Sequence, residues 1–283
     1  MSSAKEIAAG HETAPGALMA GKRGLVMGVA NDHSIAWGIA RVLHRHGAEL
    51  AFTYQGEKLG SRVRPLAESV GSRIVVPCDV EDDAGLDAAF DALRAQWGAI
   101  DFVVHAIAYS EKEELKGRYL DTSRSNFSRT LDVSCYSFTA VARRAQPLMR
   151  AGGGLVTLTY LGAERVVPHY NVMGVAKAAL EASVRYLASD LGPLGIRVNA
   201  ISAGPVRTLA GSAVGAARDI LRWNREHSPL KRDVALDDLG GSALYLLSDL
   251  SGSVTGEVHH VDSGYHAIGV PDPDTLRRQP EAP

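Results

Sequence analysis

Short apolar runs alternate with longer stretches whose apolar residues recur at helical spacing, and this alternation covers most of the chain. The runs are rich in β-branched residues and end at glycine or polar turn residues, as strands do. The predicted strands are Gly24–Val29, Glu49–Tyr54, Arg73–Cys78, Ile100–Ala106, Gly154–Thr159, Ile196–Ile201 and Glu257–Val261. The predicted helices are Ile35–His46, Lys58–Val70, Asp83–Gln96, Phe127–Met149, Met173–Leu191 and Leu236–Leu247.

Strands that alternate with helices pair in parallel through right-handed crossovers. The pattern therefore predicts the α/β class: a single doubly wound Rossmann-like domain, with a seven-stranded parallel sheet and helices on both faces. We expect this domain to span residues 18–270. Residues 1–17 are expected to form a flexible N-terminal extension, and the proline- and charge-rich residues 271–283 a C-terminal tail.

Composition narrows the class of protein. The chain has 283 residues, a formal net charge of -2 and 46% hydrophobic residues, so it favours a full core and no nucleic-acid partner. No apolar run is long enough for a membrane span, and no signal peptide is evident. The two cysteines, Cys78 and Cys135, are far apart and lack metal-ligand spacing, so we expect no metal and a reducing, cytoplasmic location.

A glycine turn follows the first predicted strand and leads into a helix. Gly28 permits a sharp turn, and the amides of the next helix could hold a pyrophosphate. The usual G-x-G-x-x-G fingerprint is absent, so an ordinary turn is the alternative. At other strand ends, Asp79 could bind an adenine amino group or simply cap a helix. His105 could carry a proton, although a histidine in such a place more often packs in the core.

Two tyrosines and a lysine follow the fifth strand. Tyr170 and Lys177 are seven residues apart, close to two helical turns, which predicts that they share a face. A phenol near a lysine can donate to an oxygen on which negative charge grows during hydride addition. The common reductase pattern Tyr-x-x-x-Lys would place the tyrosine at Met173, and Tyr160 stands where that pattern has a serine.

These departures carry a resemblance to one family. Residues 158–165, 170–177 and 197–210, together with the turn that begins at Gly28, resemble bacterial enoyl-[acyl-carrier-protein] reductases of the short-chain dehydrogenase/reductase superfamily. The resemblance covers roughly residues 20–268. It implies the reduction of trans-2-enoyl thioesters by NADH in the last reductive step of fatty-acid elongation, with an acyl carrier protein as the partner and a homotetramer as the assembly.

The resemblance also implies roles for individual residues. Tyr170 would donate to the thioester carbonyl oxygen, Tyr160 would line the acyl channel, and Lys177 would hold the nicotinamide ribose, so these three form the expected catalytic set. Substrate would contact Ser110, Tyr160 and Tyr170. The cofactor, NADH or NAD, would contact Gly28, Ser34, Ile35, Gln55, Asp79, Val80, Ile107, Lys177, Val206, Arg207, Thr208, Leu209 and Ala210.

Some features depart from the family, and two other functions stay open. Ala108 stands where glycine is common, and the expected lid, Leu209–Trp223, offers Arg218, Arg222 and Arg225 to an acidic carrier protein instead of lysines. A carbonyl reductase of the same fold is one alternative, and Met173 argues against it. A nucleotide-binding regulator without turnover is the other, and Tyr170 together with Lys177 argues against that. The acidic end of the second strand, at Glu57, predicts a preference for NADH over NADPH.

Overall fold

A computed structural model describes residues 16–208 and 217–272. The strands in this part of the chain are β1 (Arg23–Met27), β2 (Glu49–Tyr54), β3 (Ile74–Pro77), β4 (Phe102–His105), β5 (Gly153–Thr159), β6 (Ile196–Ala203) and β7 (Val258–Val261). The helices are α1 (Ile35–Arg45), α2 (Gly56–Ser69), α3 (Asp83–Trp97), α4 (Lys112–Leu115), α5 (Arg124–Leu131), α6 (Ser137–Ala145), α7 (Val172–Leu191), α8 (Ala217–His227) and α9 (Leu236–Leu247).

The strands form one parallel sheet in the order β3-β2-β1-β4-β5-β6-β7. The order reverses between β1 and β4, and in doubly wound folds such a switch point opens a crevice at the carboxyl ends of the strands. The predicted fold class is therefore confirmed. Among the described residues, no helix combines the length and apolar character needed to cross a membrane.

The sheet is buried on both faces, which explains why the strands are almost continuously apolar. Along β1, Leu25 and Met27 pack among α3, α6 and α7, while Val26 points to the opposite layer of α1, α2 and α9. Successive strand residues point to opposite faces, so one apolar strand serves both cores.

The predicted long helix Phe127–Met149 was wrong as a single element. The chain turns helical at Arg124, passes through a π-helical turn at Asp132–Tyr136, and ends in a 3₁₀ turn at Gln146–Leu148. A single π-turn is too short to change the apolar periodicity of the helices on either side, so it could not be predicted from the sequence. π-turns inside helices frequently lie at functional sites, and Val133 of this turn lines the cavity described next.

Candidate active site

A cavity of about 870 Å³ opens at the carboxyl ends of the central strands, where the strand order reverses. This volume lies within the range of about 300 to 1,000 Å³ that is usual for small-molecule and cofactor sites. The loops after β1, β2, β3, β4, β5 and β6 all contribute to its wall. The site is therefore where the topology of the sheet predicts it.

Gly28 begins the wall next to β1, with a φ of 96° that favours glycine. A Cβ here would lie 2.0 Å from the carbonyl oxygen of Ala106, so the missing side chain is required by the neighbouring strand end as well as by any ligand. Ser34 then organises the turn, because its hydroxyl oxygen accepts from the amides of Ala30 and Asn31, both at 3.0 Å. The glycine turn and the amino end of α1 thus form one fixed wall.

The ends of β2 and β3 meet through their side chains. The Gln55 amide donates to Asp79 at 2.8 Å, and both residues line the cavity. Asp79 does not cap α3, because Asp82 holds that position and accepts from the Ala84 amide. The helix-cap alternative for Asp79 is therefore wrong.

His105 packs in the core instead of carrying protons. It is fully buried, with Nδ1 3.0 Å from the Thr157 hydroxyl and Nε2 2.9 Å from the Ser137 hydroxyl. Burial lowers the pKa of His105 to about 3, with the charge of Lys177 adding to the effect. A neutral ring that joins β4 and β5 to α6 is a structural element.

Tyr170 lies outside α7, in the turn that precedes it. The prediction that Tyr170 and Lys177 share a helical face was therefore wrong, although both line the cavity. The Tyr170 ring packs edge-on against Tyr160, with the ring centroids 5.1 Å apart, and rests on the backbone of Gly162. Its flanking residues His169 and Asn171 have positive φ values of 63° and 42°, and such conformations cost about 1–3 kcal/mol each in non-glycine residues.

Burial sets the protonation of both phenols. It raises the pKa of Tyr160 to about 12 and raises that of Tyr170 further, with the acidic groups Tyr160 and Glu181 adding to the increase at Tyr170. Both side chains are therefore neutral hydrogen-bond donors near neutral pH. A neutral buried phenol is the form that can donate to a developing oxyanion.

Lys177 stands on the first half of α7 and is only 5% exposed. Its ammonium donates to the Leu158 carbonyl oxygen at 2.8 Å, at the end of β5. Burial lowers the pKa of Lys177 to about 8, against the opposing effects of Cys135 and Glu181. Lys177 is thus a cation near pH 7 in a largely desolvated place.

A hydrogen-bonded loop that includes Ser110 forms the part of the wall next to the amino end of α7. The buried Asn126 carboxamide is its centre, since it contacts the Ser110 hydroxyl and accepts from the Glu111 amide. Asn126 also donates to the Glu114 carboxylate at 3.1 Å, which in turn accepts from the Ser123 amide and hydroxyl. Periodicity could not predict this network, because it depends on contacts between side chains of different elements, such as Glu114 of α4 and Asn126 of α5.

The structure brings most of the predicted residues together. The predicted residues that line the cavity are Gly28, Ser34, Ile35, Gln55, Asp79, Val80, Ile107, Ser110, Tyr160, Tyr170, Lys177, Val206 and Thr208. Ala108 lines it too, whereas Arg207 is not among the lining residues. Leu209 and Ala210 lie outside the described residues. Of the predicted lid Leu209–Trp223, only the part from residue 217 is described, as the start of α8, and Ile220 and Leu221 line the cavity without having been singled out.

Comparison with known proteins agrees with this geometry. The family model described as Enoyl-(Acyl carrier protein) reductase matches residues 28–266. The chain belongs to this family. An enoyl-[acyl-carrier-protein] reductase [NADH] of Rhizobium meliloti is 64% identical over 260 residues, covering 92% of this chain and 97% of the relative. Another from the same organism is 66% identical over 253 residues, covering 89% and 93%.

Solved structures of family members share the fold in detail. FabI from Candidatus Liberibacter asiaticus superposes with a TM-score of 0.89 at 58% identity, covering 91% of this chain and 100% of that one. The Anaplasma phagocytophilum enoyl-(acyl-carrier-protein) reductase in complex with NAD gives a TM-score of 0.88 at 57% identity, covering 93% and 98%. The resemblance carried by the tyrosine and lysine motifs is confirmed.

Proposed function

We propose that this chain reduces trans-2-enoyl thioesters with NADH, as the enoyl-[acyl-carrier-protein] reductase of a bacterial fatty-acid elongation cycle. Family membership supports the reaction class. The observation that carries the proposal is that Tyr170 and Lys177 both open onto the cavity at the switch point of the sheet, opposite the Gly28 turn. One cavity therefore brings together a glycine turn at the amino end of a helix, a neutral phenol and a buried cation.

The residues around this cavity fit a dinucleotide. Backbone approaches the cavity without obstruction at Gly28, and Gln55 and Asp79 offer polar groups at the ends of β2 and β3. We propose that these three, with Ser34, Ile35, Val80, Ile107, Lys177 and residues 206–210, hold NADH. When bound, NADH supplies the hydride that adds to the β-carbon of the enoyl thioester.

In this proposal Tyr170 donates a hydrogen bond to the thioester carbonyl oxygen, where negative charge grows. Its raised pKa keeps the proton on the phenol, and its burial keeps water from competing for the oxygen. Tyr160 packs against the Tyr170 ring and shapes the acyl channel. Lys177 orients the ribose and adds positive charge, and Ser110 contributes to the substrate side of the wall.

Substitution of the tyrosines tests these roles. Tyr170→Phe removes only the hydroxyl, so NADH binding should be unchanged while kcat falls on the order of 100- to 1,000-fold, the usual cost of losing one oxyanion donor. Tyr160→Phe should act mainly on KM. Stopped-flow turnover of dodecenoyl thioesters, with separate NADH titrations, measures both. Turnover by Tyr170→Phe at the wild-type rate would refute the role of Tyr170, and reduction of ketones instead of enoyl thioesters would refute the function.

The preference for NADH has a local explanation. At the amino end of α2, the Glu57 carboxylate accepts from the Arg64 guanidinium at 2.9–3.0 Å, and the guanidinium lies over the Tyr54 ring. The Glu57 carboxylate, close to the strand end where the 2′-phosphate of NADPH would lie, repels that phosphate. We therefore propose that NADH is the preferred cofactor.

We also propose an acyl carrier protein as the natural donor of the thioester. Arg218, Arg222 and Arg225 on α8 could meet its acidic surface. Arg222 and Arg225 are paired with Asp219 and Asp233, but exposed pairs of this kind exchange partners easily. The KM for the carrier-bound substrate should then rise with salt more steeply than the KM for a coenzyme A thioester.

A homotetramer is the proposed assembly. The outer face of the π-turn and α7 exposes Tyr136, Val175 and Tyr186, which are large apolar side chains suited to pairing across a two-fold axis. A monomer in light scattering at micromolar concentration would refute this.

The proposal places the protein in the cytoplasm, consistent with its free thiols Cys78 and Cys135. It treats residues 18–270 as the reductase domain, with residues 1–17 and 271–283 outside it. Residues 1–15 and 273–283 lie outside the described part of the chain.

A further inference from the structure

Tyr170 is held by two consecutive tight turns. Its amide donates to the Val167 carbonyl at 3.2 Å, which closes a turn with Pro168 and His169 at the central positions. Its carbonyl accepts from the Met173 amide at 3.0 Å, which closes a second turn with Asn171 and Val172 at the central positions. The amide of Tyr170 is therefore fixed by a turn that precedes α7, and its carbonyl by the turn that leads into α7.

The second turn has an unusual residue at its first central position. Asn171 has φ 42° and ψ -123°, close to the values that a type II′ turn requires there. Glycine is the standard residue at this place, because a Cβ is strained in that conformation. Asn171 therefore occupies a position where its side chain imposes a backbone cost, and the side chain must contribute something in return.

The Asn171 carboxamide lies against the loop that follows Ser110 in the cavity wall and includes α4. Its Nδ2 donates towards the carbonyl oxygens of Glu114, Leu115 and Gly117 at 3.2, 3.3 and 2.9 Å. An amide nitrogen has two hydrogens, so they are shared among these three acceptors. The same loop is fixed on its other side by the Asn126 and Glu114 network. Asn171 thus links two parts of the cavity wall: the turn that contains Tyr170, and the loop on the substrate side.

We infer that Asn171 is a positioning residue for the reaction. Its carboxamide holds segment 114–117 to the strained turn, and the turn fixes the Tyr170 phenol relative to the cavity. This inference rests on the donor role proposed for Tyr170. Displacement of a catalytic group by about 1 Å can cost on the order of 100-fold in rate, so loss of this fixation should be visible in kcat.

Three substitutions separate the strained backbone from the side-chain contacts. Asn171→Gly removes the amide and relieves the strain, so the loop is released from the turn: KM for dodecenoyl-coenzyme A should rise and kcat should fall about 10- to 100-fold, as in the alanine variant. Asn171→Ala removes the amide but keeps a strained Cβ, and kcat should fall about 10- to 100-fold. Asn171→Asp keeps the shape but turns oxygens towards three carbonyls, so its loss should be at least as large. The NADH dissociation constant should stay unchanged in all three.

A double-mutant cycle shows whether Asn171 acts through the phenol. In a Tyr170→Phe background, Asn171→Ala should lower kcat by less than about threefold, because the group that it positions is already absent. Lys231→Gly is the matched control: Lys231 also has a positive φ, of 52°, but does not line the cavity, so kcat should not change. Thermal unfolding of each variant identifies any that fail to fold. If Asn171→Ala fails to fold, the kcat values of Asn171→Gly and Asn171→Asp are compared with the wild type instead.

The outcomes are distinct. A normal kcat in Asn171→Ala and Asn171→Asp, with Tyr170→Phe impaired, would overturn this inference alone. An undiminished additive loss in the double mutant would also overturn it, because Asn171 would then act on something other than Tyr170. Full turnover by Tyr170→Phe would overturn both this inference and the role proposed for Tyr170. A loss of kcat in both Asn171→Ala and Asn171→Gly that disappears in the Tyr170→Phe background would support it. A loss in the alanine variant alone would overturn it, because backbone strain and not the carboxamide would then be the cause.

Discussion

Replacing Lys177 with methionine should stabilise the folded protein near neutral pH while it abolishes turnover. The Lys177 side chain is 5% exposed, and burial lowers its pKa from an ordinary value near 10.5 to about 8. At 1.36 kcal/mol per pKa unit, this difference corresponds to about 3 kcal/mol against the charged form in the folded state. Loss of the hydrogen bond to the Leu158 carbonyl offsets roughly 1 kcal/mol of this. The expected net gain is about 2 kcal/mol.

The pH dependence of this gain follows from the direction of the shift. Below pH 8 the lysine is protonated in both states, so the folded state carries the whole penalty. Between pH 8 and 10.5 the folded state loses its proton while the unfolded state keeps it, so the stability of the wild type rises with pH. Above 10.5 the penalty is gone. The advantage of Lys177→Met should therefore be largest at pH 7 and shrink steadily above pH 8.

Urea unfolding at pH 7, 8.5 and 9.5, at one fixed protein concentration, measures this difference. Lys116→Met is the control, because Lys116 is exposed and, within the described part of the chain, pairs with Glu113 on the surface. Its effect should stay within about 0.5 kcal/mol at every pH. The reasoning is refuted if Lys177→Met is less stable than the wild type at pH 7, or if its advantage does not change with pH.

Other expectations concern the backbone and the cofactor. Gly162→Ala should lower kcat and spare NADH binding in titrations, because a Cβ there would lie 2.3 Å from the Tyr170 ring. Gly28→Ala should abolish NADH binding or folding, as calorimetry and circular dichroism would show, because its Cβ would lie 2.0 Å from the Ala106 carbonyl oxygen. The ratio of kcat/KM values should favour NADH over NADPH, and Glu57→Gln should narrow that ratio by releasing the paired arginine. Equal kcat/KM values of the wild type for NADH and NADPH would contradict the expected preference for NADH.

The fold could be predicted because its signals are local and repeated. Each strand is an apolar run long enough to be recognised, and the alternation with helices dictates parallel pairing. The short helix α4, at Lys112–Leu115, and α8 were not predicted. Four residues cannot show a helical period, and α8 is rich in arginine, so its apolar stripe is narrow. The π-turn at Asp132–Tyr136 was missed because one such turn is too short to disturb the apolar period of the α-helices on either side.

The site could be predicted in part. The carboxyl ends of parallel strands lie at one edge of the sheet. Gly28, Gln55 and Asp79 therefore line the same crevice, whatever the details of packing. His105 follows the same rule and yet is structural, because the direction of its side chain depends on Thr157 and Ser137, which are distant in sequence. Position along the sheet can be predicted from sequence, but orientation requires the packed neighbours.

Tyr170 also shows that the orientation of a side chain could not be predicted from its position in the sequence. A seven-residue spacing from Lys177 suggests two helical turns, yet the helix begins only at Val172, and the phenol reaches the cavity from a turn. In the common Tyr-x-x-x-Lys pattern the tyrosine and the lysine would both lie on one helix, and its backbone hydrogen bonds would fix them. Here the tyrosine gains a different approach to the cavity, but it loses the support of the helical hydrogen bonds. Its support comes from the side chains that pack with it, Tyr160, Leu115 and Met173. The glycine under its ring at position 162 and the strained asparagine that follows it complete this support.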